Sequence, residues 1–279
     1  MIKSLLYNES IKVLSKKRTY IGFILILFLV PIIVLSIGNG AEYLENKIYG
    51  QLRDSFIVFG SLTNGYLATY LIIAILTGQM PFLATIVASE IVSGEYSKGT
   101  FRMYLSRPVS RNLVLLSKLV IVNIYTIIIM VFFIFYTLLI STMFLGKGDL
   151  AVFHLGLLFL GEGDIFWRFF LAFNISTLVM VTISNLCFML STFFKNSVTP
   201  IIITISVVFI GTAISFIPLK IFESLNPYLF TGYVDLFLTA FYDPVPWLLI
   251  RNAIIVCSLW SIFFVGFSFK HFSKKELLE

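Results

Sequence analysis

The sequence predicts an all-α, polytopic membrane protein with six transmembrane helices, and three observations carry that prediction. Hydrophobic residues make up 59% of the 279-residue chain and charged ones only 12%, about half the share in an average soluble domain. Its apolar runs approach or exceed the roughly 20 residues that a helix needs to cross a bilayer. The alternating segments of about ten residues that mark a transmembrane barrel are missing. With thirty Phe and a mean hydropathy of +0.99, a soluble fold could not bury its apolar surface.

The elements follow in chain order. Residues 1–18 are basic and place Ile2, Leu5, Leu6 and Val13 roughly on one helical face, although Glu9 and Lys16 interrupt it. This segment reads as an interfacial helix on the inner membrane surface, or as a basic topogenic tail without fixed structure. Span one runs from about Tyr20 to Ile37; its apolar run is too long for a signal-peptide core and no A-x-A site follows, so it is an uncleaved anchor. Leu44, Ile48, Leu52 and Phe56 then recur at helical spacing on the outer side. Span two covers about Tyr66 to Ser89, and span three about Leu113 to Phe144. Span four follows from about Trp167 to Phe194, span five from Val198 to Ile217 and span six from Trp247 to Phe269. Pro31 and Pro81 are expected to kink spans one and two. Residues 218–246, aromatic-rich and broken by Pro227, Pro244 and Pro246, suit short helices resting in or re-entering the outer interface. Trp167 and Trp247 fit an aromatic belt there.

Fourteen of the twenty Lys and Arg fall in the N-terminal segment, around the loop after span two, after span four or at the C-terminus. The positive-inside rule therefore places both termini in the cytoplasm. In a membrane chain the net charge of +6 reads as topology, and no nucleic-acid partner is expected. Cys187 and Cys257 lie within apolar segments and read as buried small hydrophobes.

Catalytic chemistry is hard to place. The two histidines, His154 and His271, fall on opposite sides, and HExxH, GxSxG and an intramembrane acidic pair are all absent, so the chain is not expected to be an enzyme or to hold a metal or cofactor. Ion-coupled carriers usually keep ionisable groups at mid-membrane, whereas the acids here sit at span ends or in loops. Several polar residues within spans are uncharged, among them Gln79, Asn123, Asn174 and Asn185. They serve either as helix-to-helix hydrogen bonds or, for Gln79, Asn123 and Asn185, as a candidate substrate path.

The loop after span two, within residues 90–112, is the most informative stretch. Gly94 and Gly99 have the spacing of a phosphate-binding loop, but Thr100 stands where the lysine belongs and a transmembrane helix, not a strand, precedes it. Gly94 and Gly99 are expected instead to bracket a break, after which Thr100 caps a short helix over FRMYLS. Phe101, Tyr104 and Leu105 share a face of that helix, Pro108 ends it, and Ser110 can cap span three.

The segment SEIVSGEYSKGTFRMYLSRPVSRNLVLLSKL, Ser89 to Leu119, resembles the E-x-x-x-G-T, L-x-S-x-P-V-S-R and K-L pattern of permease subunits of type-2 ATP-binding cassette transporters. The resemblance implies a single permease domain over residues 1–279, with residues 1–18 interfacial, 90–112 a cytoplasmic coupling loop and 218–246 an outer helical loop. It further implies a homo- or heterodimer of permeases in a bacterial cytoplasmic membrane, each resting on a separate ATPase subunit that binds ATP and Mg. Glu95, Lys98, Gly99, Thr100, Phe101, Arg102, Tyr104, Leu105 and Arg107 would dock that ATPase, the charged ones as ionic contacts and the aromatic face in its groove. A hydrophobic or amphipathic substrate is expected. A membrane anchor or sensor that uses the same loop to dock a cytoplasmic partner, and a secondary transporter, are the alternative readings.

Overall fold

The computed structural model describes residues 2–40, 63–97, 110–153, 157–217 and 219–274. Helix α1 spans Ile2–Leu14, α2 Lys17–Asn39, α3 Gly65–Leu76 and α4 Met80–Ser97, the last two joined by a 3-10 turn at Thr77–Gln79. Helix α5 covers Arg111–Leu145, a β-hairpin pairs Leu150–Phe153 (β1) with Leu157–Leu160 (β2), and α6 covers Glu162–Phe193. Helix α7 is Val198–Phe216 and α8 Lys220–Leu225; three short 3-10 turns then lead to α9, Trp247–Lys274. Among the described residues, six helical segments, with α3 and α4 counted as one, are long and apolar enough to cross a membrane, and the protein is a multi-pass membrane protein.

Helix α6 is the central post, with 67% of its span buried, whereas the spans of α7 and α9 are 22% buried and that of α2 28%. Those three helices turn long apolar faces outward: Phe28, Ile32, Ile210, Leu259 and Ile262 are all exposed, as expected of side chains solvated by lipid. At about 1.5 Å rise per residue, α5 is about 50 Å long, more than the roughly 30 Å hydrocarbon core, so its ends project beyond the membrane. One end of the bundle gathers α1, the end of α4, the start of α5, and the ends of α6 and α9, where Phe193 stacks on His271 at 4.0 Å. This is called the basic end below; the hairpin and the aromatic segment lie at the other.

Span two breaks where Pro81 predicts, for an identifiable reason. Proline has no N–H to offer the carbonyl four residues back, and the Thr77 carbonyl is taken instead by the Met80 amide in a 3-10 bond. Pro31, in contrast, is accommodated inside an unbroken α2.

At the hairpin end, Asn64 caps α3: its side-chain oxygen accepts from the amides of Tyr66 and Leu67, both at 3.0 Å, while its amide donates to the Asp149 carbonyl at 2.7 Å. The Gly65 amide donates to the Gly146 carbonyl at 2.9 Å. A Cβ on Gly65 would lie 2.5 Å from the Thr142 Cα, so glycine is what lets α3 meet the end of α5. Residues 226–242 tuck back into the bundle. Phe237, Ala240 and Phe241 are at most 1% exposed; the Phe241 ring packs edge-on against Phe169 and Tyr70. Arg168, buried in α6, donates to the carbonyls of Ala240 and Tyr242 at 3.2 and 2.7 Å, fastening a segment with no regular ladder of its own. The segment from Lys220 to Phe241 is built of one short α-helix and three 3-10 turns. The hairpin was not expected: the runs LAVF and LLFL are too short to separate from their helical surroundings by periodicity.

Two local expectations are corrected. Helix α4 runs through Gly94, which is buried, to Ser97, so no break occurs at Gly94; three residues of regular helix follow it. Ser110 holds the N-cap position of α5, but its hydroxyl makes no cap bond; its carbonyl accepts from Leu113 and Val114 instead. The C-terminal part of the α1 face expected to meet the membrane is turned inward. Val13 is buried and Leu6 packs on the core, while Ile2 of that face stays exposed along with Tyr7, Ile11 and Leu14.

Candidate coupling site at the basic end

Among the described residues, four charged side chains from three helices form a ring. Glu9 and Lys12 lie one turn apart on α1, Glu95 is in the last turn of α4, and Lys118 is two turns into α5. Lys118 Nζ lies 2.8 Å from Glu9 Oε2 and 2.8 Å from Glu95 Oε2. Lys12 Nζ lies 3.1 Å from Glu9 Oε1 and 3.0 Å from Glu95 Oε1. Each carboxylate thus turns one oxygen to each ammonium, and the charges of these four residues alternate around the ring. Lys118 is completely buried and the Glu9 side chain 2% exposed, whereas Lys12 reaches solvent at 41%. Desolvating such ions is costly unless every one is paired, so the ring holds only while α1, α4 and α5 stay together.

The bend between α1 and α2 is fixed beside it. The Thr19 hydroxyl donates to the Val13 carbonyl at 2.5 Å, and the Tyr125 hydroxyl of α5 donates to the Thr19 carbonyl at 3.1 Å. Glu90 of α4 draws in Lys16 at 3.6 Å and Arg18 at 4.0 Å. A pocket of about 430 Å³ opens here, lined by Lys16, Lys17, Arg18, Glu90, Gly94, Ser97 and Ser197.

Among the sequence-predicted docking residues, Glu95 is placed in the ring. Lys98, Gly99, Thr100, Phe101, Arg102, Tyr104, Leu105 and Arg107 lie outside the described residues, as do the expected cap at Thr100 and the outer helix around Leu44 to Phe56. The candidate path residues fall into two groups. Gln79 is exposed on the 3-10 turn, while Asn123 of α5 and Asn185 of α6 each bury a side-chain oxygen with no hydrogen-bond partner among the described residues. Beside them the Thr126 and Ser184 hydroxyls bridge α5 to α6 at 2.8 Å. Asn174 bonds only the Phe170 carbonyl of its own helix. Cys187 and Cys257 are free and buried.

Sequence reasoning missed Glu9, Lys12 and Lys118 as a unit. The available signal was Glu9 itself, a carboxylate on the otherwise apolar face of a helix. A charge in that position calls for a partner, although nothing in the spacing says which.

The family model described as Protein of unknown function (DUF2705) matches residues 55–278. The chain is also 24% identical to the Uncharacterized protein YhcI of Bacillus subtilis (strain 168), over 98% of this chain and 99% of that one.

Proposed function

The chain belongs to the family described as Protein of unknown function (DUF2705), and we propose that it is the transmembrane permease subunit of a type-2 ATP-binding cassette transporter. It moves a hydrophobic or amphipathic substrate when driven by a separate ATPase. It works as a homo- or heterodimer in a bacterial cytoplasmic membrane with both termini inside. The observation that carries this reading is the position of the ionic ring. It pins α1, α4 and α5 at the point where α4 gives way to the segment that resembles a coupling helix.

A push on residues 98–109 is then shared by three helices, because parting any one of them strands a buried charge. Above the ring, the 3-10 turn at Thr77–Gln79 divides span two, so that α4 can tilt with the ring while α3 stays fastened to α5 through Asn64 and Gly65. The unpartnered oxygens of Asn123 and Asn185 are acceptors for a polar group of the substrate. Nucleotide and magnesium belong to the ATPase. Glu95 serves this role by holding α1 and α5 and not as a free contact for the partner.

The test is affinity purification of the full-length chain from its native membranes. An ATPase subunit is expected to copurify, with hydrolysis that rises when substrate is added. Gly99→Pro should abolish that stimulation while leaving the membrane fold intact. Wild-type ATPase binding and stimulated hydrolysis in this variant would remove the coupling assignment. Glu95→Ala is less diagnostic, since it also opens the ring.

A further inference from the structure

The pocket at the α1–α2 bend is placed and charged for a ligand of its own. Its walls carry three cations, Lys16, Lys17 and Arg18, against one carboxylate, Glu90, which serves two of them at 3.6 and 4.0 Å. Among the described lining residues the count is three cations to one carboxylate, an excess of positive charge. The hydroxyl-bearing residues Ser97 and Ser197 and the side-chain-free Gly94 also line it.

Its depth follows from the fold. Lys17 and Arg18 begin the membrane-crossing helix α2, and Ser197 sits in the turn between α6 and α7, so the pocket lies at the level of lipid headgroups. The neighbouring helix supports the same placement. Helix α1 turns its ionic ring inward and leaves Tyr7, Ile11 and Leu14 exposed at 67%, 47% and 56%, at the i, i+4, i+7 spacing of an apolar stripe. Apolar side chains that enter the interface, followed at once by cations, are the physical recipe for holding an acidic lipid surface, and basic pockets between transmembrane helices bind phosphorylated lipid headgroups.

We propose that this pocket binds the phosphate of an acidic phospholipid headgroup, and that the lipid thereby clamps the α1–α2 bend to α4. A zwitterionic headgroup brings its own ammonium into a site that is already cationic, and is discriminated against.

The test uses the full chain reconstituted in nanodiscs of equal parts phosphatidylglycerol and phosphatidylcholine, with retained lipid read by native mass spectrometry. Wild type should retain phosphatidylglycerol over phosphatidylcholine by about tenfold, the effect of one charge-assisted contact. The double variant Lys17→Glu/Arg18→Glu should lose that preference. Both side chains are exposed, and an unchanged unfolding midpoint in detergent checks the fold. Lys270→Glu, exposed at the end of α9, should keep the preference. Equal retention of the two lipids by wild type, or equal loss in Lys270→Glu, would overturn the proposal. Displacement of phosphatidylglycerol by an equal concentration of inorganic phosphate would make the ligand a free anion. If the double variant keeps its lipid but releases a copurifying protein, the pocket is a protein interface and the lipid assignment fails.

Discussion

Lys118 shows how much a single residue can carry. Its ammonium is fully buried between Glu9 and Glu95 at 2.8 Å from each, and removing it takes a buried countercharge from both carboxylates. Lys118→Met is expected to cost about 3–5 kcal/mol, the usual penalty for stranding a buried charge. The double variant Glu9→Leu/Lys118→Met should recover a large part of that loss, because an apolar pair of similar volume can replace a buried ion pair. Thermal unfolding in detergent of both single variants and the double forms the cycle that isolates the interaction. Strictly additive losses would show that the two residues stabilise independently. This pair was not legible in the sequence. Glu9 reads there as a flaw in an apolar face, and its partner Lys118 lies 109 residues away, beyond the reach of any local spacing rule.

At the scale of elements, the spans were legible and their junctions were not. Apolar runs of about 20 residues are dictated by bilayer thickness, so the helix at Arg111–Leu145 differs from the expected Leu113–Phe144 only at its fraying ends. The meeting of α3 and α5 depends instead on the absence of one methyl group at Gly65, which no periodicity reports. Gly65→Val should drive a side chain into the backbone of Thr142 and Ser141 and lower stability by about 1–3 kcal/mol. Gly163→Ala, near the start of α6 with nothing within 4 Å of its new methyl, should be close to neutral. Matching unfolding midpoints for these two variants would show that the close approach does not constrain the junction. The inward face of α1 has a comparable origin. Its apolar residues were legible, but the ring, by pulling Glu9 and Lys12 toward the protein, decides which of them face outward.

Across the whole molecule, a ring of charges at one end, the 3-10 turn within span two and a polar seam at Asn123 and Asn185 make up the proposed route from residues 98–109 to the interior. Composition was enough to read a multi-pass membrane protein. The route was not, because it depends on contacts among α1, α4 and α5 that form only after the bundle assembles. In the proposed function, residues 98–109 rest on an ATPase. Because Cys187 and Cys257 are both buried, Arg102→Cys introduces a thiol into that segment without competition from exposed cysteines. Treating native membranes of this variant with a short thiol-to-amine crosslinker measures the contact directly. The account predicts an adduct between this chain and an ATPase subunit whose yield changes when ATP is added; a thiol that labels freely with a small reagent yet gives no ATPase adduct would contradict it.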